Sequence, residues 1–162
     1  FYNPRGEALR DFAALVAGLP HKPLAYGANC GVGSSDLLRT VLGFASADTG
    51  VPIVAKGNAG IPKYVDGEIV YDGTPALMAD YAELARNAGA TIIGGCCGTT
   101  PEHLVAMREA LETRPPGPRP SLEEIEAKLG GFSSATDGTL TCGHAAHAPK
   151  QRERRGRRRR SE

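Results

Sequence analysis

Three short apolar runs, each handing over to an amphipathic helical pattern, constrain this chain more than any other feature. The first, Pro23 to Gly27, alternates Leu24 with Tyr26; the others are Val51 to Lys56 and Ala90 to Gly95. A helix precedes the first run: over Glu7 to Gly18, Leu9, Phe12, Ala13, Val16 and Leu19 fall on one face. Ser34-Ser35-Asp36 resembles a helix start ahead of Leu37, Leu38, Val41, Leu42 and Ala45, and Gly50 closes that segment. Thr74-Pro75 opens another helix, with Met78, Tyr81, Ala82, Leu84, Ala85 and Ala88 as its apolar side and Gly89 at its end. Thr100-Pro101 opens the last regular one, to about Thr113. Lys63 to Gly73 is a longer excursion, read as a small hairpin or lid. Short strands alternating with helices predict a parallel sheet joined by right-handed crossovers. Three strands cannot close a barrel, and they leave open edges. With a pattern that begins in mid-motif at Phe1, this predicts the later part of a larger α/β domain.

Beyond Thr113 the character changes. Residues 114–120 are a proline-rich linker, Ser121 with Glu124 forms a capping-box pattern, and Leu122 to Leu129 is a short docking helix. From Gly130 to Glu162 the composition is small, polar and basic, and disorder is expected. The organisation is therefore 1–113, partial α/β domain; 114–129, linker and helix; 130–162, basic tail. Lys150 to Glu162 holds eight basic and two acidic residues, which leaves −5 on residues 1–149 of a chain whose net charge is +1. The acidic body offers no nucleic-acid footprint. The arginine run could contact RNA or an anionic membrane, but no aromatic residue interleaves it, and a solvated tail is the favoured reading. Cys142, His144 and His147 in that tail read as adventitious metal binders. No apolar run approaches the roughly 18 residues of a membrane span, and no signal peptide is visible. The expected setting is cytoplasmic and reducing. Assembly into a homo-oligomer stays open.

Cysteine placement carries the chemistry. Cys30 follows Gly27-Ala28-Asn29, while Cys96 and Cys97 follow Gly94-Gly95. Both places are ends of buried strands, where parallel α/β folds bind ligands. Three thiols converging there point to a thiolate zinc site with its fourth position open, the catalytic rather than the structural arrangement. Adjacent residues of a regular strand face opposite ways, so the backbone must turn near Cys96 and Cys97; Gly94, Gly95 and Gly98 give it that freedom. Two blander readings exist: small buried hydrophobes, and a strained vicinal disulfide. Gly31-Val32-Gly33-Ser34-Ser35 looks like a phosphate cradle but lacks the lysine and spacing of one, so a tight turn is favoured.

Gly27-Ala-Asn-Cys30, Asn58-Ala-Gly-Ile-Pro62 and Gly94-Gly-Cys-Cys-Gly-Thr-Thr-Pro-Glu-His103 closely resemble the homocysteine S-methyltransferase family, over about Phe1 to Thr113. The resemblance implies a (β/α)8 TIM barrel, of which this chain holds the last three βα units. It implies that Cys30, Cys96 and Cys97 ligate Zn²⁺, and that homocysteine sulfur takes the fourth position and is methylated to methionine. Asn29 and Asn58 match motif positions at the same mouth, where they would orient substrate or support the ligands; an ordinary turn asparagine is the blander reading, as good as the functional one for Asn58 and less favoured for Asn29. Thr99 and Thr100 read as helix-capping groups. Among small-molecule methyl donors betaine is slightly preferred over S-methylmethionine, S-adenosylmethionine and methylated corrinoid. The family residues that grip the amino acid's amino and carboxylate groups belong to strands absent here. Two other expectations stand beside the enzyme: a structural-zinc or regulatory half-barrel without catalysis, and a nucleic-acid-associated protein using the basic tail.

Overall fold

A computed structural model describes residues 9–31 and 33–133. The Arg-rich segment and Cys142, His144 and His147 lie outside them. The chain runs α1 (Leu9–Gly18), β1 (Tyr26–Asn29), α2 (Ser34–Ser46), β2 (Ile53–Gly57), β3 (Pro62–Val65), β4 (Glu68–Tyr71), α3 (Pro75–Asn87), β5 (Ile92–Gly95), α4 (Pro101–Thr113) and α5 (Leu122–Leu129). Strands β1, β2 and β5 form a parallel sheet in that order, as the alternating pattern predicts.

The first strand lies later than the sequence pattern places it. Tyr26 N donates to Pro52 O at 3.0 Å, and the register pairs Tyr26 with Ile53 through Asn29 with Lys56. Pairing partners, not local alternation, set where the strand starts: Leu24 has no partner strand and is 96% exposed. Likewise β2 and β5 begin two residues beyond their expected starts, at Ile53 and Ile92.

Among the described residues one face of the sheet is covered and the other is bare. Tyr26, Ile53 and Ala55 turn towards the helices and are buried, and Ile93 packs against the same core. Beneath them lie Leu38 and Val41 of α2 and Met78, Tyr81 and Leu84 of α3, all essentially without solvent contact. Each such side chain stabilises by about 1.5–3 kcal/mol. Helix α1 adds Phe12, whose ring lies 6.2 Å from that of Tyr26 and 5.8 Å from that of Phe44. Along α1, Phe12, Ala13 and Val16 point inward as expected, whereas Leu19 is 40% exposed. Val54, Lys56 and Ile92 lie on the opposite face, where Lys56 and Ile92 are exposed. Parallel sheets are normally buried on both faces, whereas the described residues cover one face of this sheet.

The excursion between β2 and α3 is a hairpin. Its two-residue loop, Asp66-Gly67, has φ of +50° and +91°, the positive pair that a type I′ turn requires and that Asp-Gly supplies. Its base is fastened to the body by Gly73 N donating to Ala59 O at 2.9 Å.

The segment after α4 is fastened too, by contacts between residues far apart in sequence. Arg114 bridges Asp80 (2.6 Å) and Glu83 (2.7 Å) on α3. Arg119 donates to Leu42 O and Ser46 Oγ, both at 2.7 Å, on α2. Helix α5, capped by Ser121 accepting from Glu124 N at 3.1 Å, buries Ile125 and Leu129 against α2 and α3. Disorder was expected from Gly130, yet residues 130–133 continue the contact: Ser35 Oγ donates to Gly130 O (2.6 Å), Ser133 N donates to the Asp36 carboxylate (3.1 Å), and the Arg39 guanidinium lies 3.8 Å from the Phe132 ring centroid. No helix among the described residues is long and apolar enough to cross a membrane.

Candidate metal centre

Cys30 and Cys96 both extend the parallel ladder by one residue before the chain leaves it. Cys30 N donates to Lys56 O (3.0 Å), and Cys96 N donates to Gly57 O (2.7 Å). The sheet therefore carries the two cysteines to one edge, the carboxyl ends of the strands, one register step apart. There the backbone turns. Cys30 takes φ +59°, a left-handed conformation that costs a non-glycine residue about 1–2 kcal/mol. After Cys96 a turn closes with Thr99 N donating to Cys96 O at 3.2 Å, and Gly98 supplies its positive φ of +73°. Of the three glycines expected to give this freedom, Gly98 alone has a positive φ. Gly95 instead makes room, since a Cβ there would lie 2.3 Å from Thr99 Cγ2.

The three sulfurs meet. Cys30 Sγ lies 2.6 Å from Cys96 Sγ and 3.5 Å from Cys97 Sγ, and Cys96 Sγ lies 4.0 Å from Cys97 Sγ. A tetrahedral zinc with sulfur ligands at about 2.3 Å sets its sulfurs about 3.8 Å apart. Two edges of the triangle bracket that value, and the third would open by about 1 Å, within the reach of small side-chain rotations. All three are free thiols, half-buried or exposed, and could hold a metal ion with one side left open. Without metal they share protons. The hydrogen bond with Cys96, then that with Cys97 and then burial push the Cys30 thiol up to about 11. The same Cys30 bond holds the Cys96 thiol below its ordinary range. Either sulfur of that pair can donate, and the two directions favour Cys96 over Cys30 as the thiolate.

Asn29 and Asn58 differ in placement. Asn29 is exposed at the end of β1, and its amide nitrogen lies 3.9 Å from Cys96 Sγ. Asn58 is 2% exposed, and both polar atoms of its side chain are hydrogen-bonded. Its Nδ2 donates to Gly31 O (3.1 Å), its Oδ1 accepts from Cys97 N (3.2 Å), and its own carbonyl accepts from Ser34 Oγ (2.9 Å). One side chain therefore ties the turn after Cys30 to the turn bearing Cys97. Ala59 N adds a bond to Cys97 O at 2.9 Å. Of the two roles expected for Asn58, this geometry favours support of the thiol-bearing loops.

Two residues gained a place that sequence reasoning had not given them. Tyr71, at the end of β4, lies across Gly98: a Cβ on that glycine would sit 2.4 Å from Tyr71 Cβ. The phenol is held above its ordinary pKa chiefly by interaction with Cys97, then by burial. Nothing in the sequence around Tyr71 pairs it with the thiols, because the hairpin brings it there. His103 closes the glycine-cysteine motif, and the sequence reading assigned it no role. Its Nδ1 accepts from Thr100 N (3.0 Å), so Nε2 carries the proton and donates to Gly73 O at 2.8 Å. This imidazole joins the start of α4 to the hairpin base, and Thr100 stands at the N-cap as expected.

A parallel βα sheet with three thiols gathered at its carboxyl edge defines the class: an α/β protein with a candidate thiolate metal centre. The family model described as homocysteine S-methyltransferase matches residues 3–111. The chain belongs to the homocysteine S-methyltransferase family.

Proposed function

We propose that this chain is the thiolate-bearing part of an enzyme that methylates the sulfur of homocysteine, giving methionine. The observation that carries the reading is the convergence of Cys30, Cys96 and Cys97, with every sulfur within 4.8 Å of the others. These three residues would hold Zn²⁺, which supplies Lewis acidity that lowers the pKa of a substrate thiol. Asn58 braces the two loops that present them. Asn29, exposed beside Cys96, is the asparagine placed to meet substrate. In the reaction a bond forms between homocysteine sulfur and the methyl carbon, the bond from that carbon to its donor atom breaks, and the thiol proton passes to solvent. Betaine is the preferred donor, and a cytoplasmic setting suits free thiols.

The same reading makes the sheet part of a closed (β/α)8 barrel, with the chain supplying its last three βα units. Sequential strand order is compatible with this, and helices on one face alone among the described residues support it, because a doubly wound sheet carries helices on both faces. The bare sheet face, carrying Val54, Lys56 and Ile92, would then line the barrel interior.

The test is metal content and X-ray absorption. One zinc per chain is expected, lost on changing Cys30, Cys96 or Cys97 to Ser, with one additional sulfur neighbour on adding homocysteine. Full zinc in Cys97→Ser, or an unchanged sulfur shell with homocysteine, would overturn the reading.

A further inference from the structure

The segment after α4 straps α2 and α3 from outside and ends on the turn of helix that backs the thiols. Residues 31–33 alone separate Cys30 from Ser34, the first residue of α2. That helix starts at Gly33 without a side-chain cap, so its first turn depends on tertiary contacts. Ser34, Ser35 and Asp36, consecutive polar residues of that turn, are all buried. Ser34 serves the thiol side: its Oγ donates to Asn58 O at 2.9 Å, and the Asn58 side chain joins Gly31 to Cys97. Ser35 and Asp36 serve the strap. Ser35 Oγ donates to Gly130 O at 2.6 Å, and the Asp36 carboxylate accepts from Ser133 N at 3.1 Å. One turn further along α2, the Arg39 guanidinium lies 3.8 Å from the Phe132 ring centroid. The first turn of α2 is therefore gripped from two sides, by Asn58 between the thiol-bearing loops and by residues 130–133. The match to the family model ends at residue 111, and the strap lies beyond it.

We propose that residues 114–133 are a positioning element of the metal centre, coupled to it through the first turn of α2, so that metal binding and strap docking strengthen each other. The inference rests on the metal-binding reading of the three thiols. The strap has two states open to it. Helix α5 has eight residues, too few for a stable helix in water by itself, so docking is what keeps it helical. It buries Ile125 and Leu129 and little else, and an element held by few buried contacts opens locally before the body unfolds. When the strap opens, Ser35 and Asp36 turn to water, and the first turn of α2 keeps only its grip through Ser34. The Cys30 turn loosens with it, because a left-handed backbone of φ +59° persists only where its surroundings hold it. Holding one ion with all three sulfurs demands a narrow geometry, so a looser Cys30 turn means weaker metal binding. Coupling is reciprocal: an ion that fixes the turn favours the docked strap by the same factor.

Amide hydrogen exchange of the full-length protein, with and without added zinc, tests the coupling directly. Zinc should slow exchange over residues 125–133 about three- to tenfold. Helix α1, whose Phe12 packs on Phe44 near the other end of α2, should change less than about twofold. Zinc affinity, read by competition with a chelator, gives the converse. Ser35→Ala combined with Phe132→Ala releases the first turn of α2 and should weaken zinc about three- to tenfold. Arg119→Met frees the strap only from Leu42 and Ser46 at the far end of α2, while α5 stays docked, and should stay within about twofold. Equal weakening by both variants would show that the strap acts on overall stability alone and would overturn the proposal. Strap exchange that zinc leaves unchanged would overturn it as well, and that measurement needs no variant, so it decides the matter even if the double substitution prevents folding. A protein that holds zinc without protecting the strap overturns this inference alone; a protein that holds no zinc overturns the metal reading and this inference together.

Discussion

Replacing Asn58 with Ala should loosen the metal centre without touching a ligand. The variant removes two hydrogen bonds, to Gly31 O at 3.1 Å and from Cys97 N at 3.2 Å, from a side chain that is 2% exposed. Gly31 and Cys97 are both exposed, so each freed backbone group regains water, and each lost bond costs about 0.5–1 kcal/mol. A total of about 1.4 kcal/mol corresponds to roughly tenfold in an equilibrium constant. Because the brace joins the Cys30 turn to the Cys97 turn, that loss should fall mainly on zinc affinity, measured by competition with a chromophoric chelator. Urea unfolding of the metal-free chain should move less, since Ser34 still holds the Asn58 carbonyl at 2.9 Å. Asn58→Asp should be at least as damaging: it keeps an acceptor for Cys97 but turns a second oxygen, and a charge, towards Gly31 O. Zinc affinity within about twofold of the unaltered chain in Asn58→Ala would refute the bracing argument.

Two further outcomes follow from the packing and the thiol chemistry. In the metal-free chain, the hydrogen bond with Cys30 lowers the Cys96 thiol while Cys30 itself is pushed up to about 11. Raising the pH from neutral should therefore make Cys96 reactive towards iodoacetamide ahead of Cys30, which gains reactivity only as its own range is approached; peptide mapping that finds Cys30 alkylated ahead of Cys96 would contradict that order. Ile125→Ala empties a fully buried position where α5 meets α2 and α3 and should cost about 2–4 kcal/mol in urea unfolding. A loss under about 1 kcal/mol would mean that α5 adds little to the body.

Local sequence determined the kinds of element and the identity of the candidate ligands. Thr74-Pro75 and Thr100-Pro101 start helices because threonine fits the N-cap and proline has no N–H to lose in the first turn. Ser121 caps α5 as its spacing from Glu124 indicates. Cysteines beside glycines at two strand ends were legible as one site, because a parallel sheet brings strand ends to a common edge. The Asp66-Gly67 turn was equally legible, and the hairpin could have been specified from it. Strand boundaries were not, since they depend on which residues find ladder partners: Leu24 alternates like a strand residue but pairs with nothing. Nor were the contacts that refine the site. Asn58 became a buried brace only when two turns closed around it, and Tyr71 reached Gly98 only through the hairpin. The strap beyond α4 follows the same rule, because Arg114, Arg119 and Ser133 find partners on α2 and α3 that lie far away in sequence. Propensity and spacing act within a few residues, whereas ladder register and helix docking join residues tens of positions apart. The chemistry available was written in the chain, and its arrangement was decided by the fold.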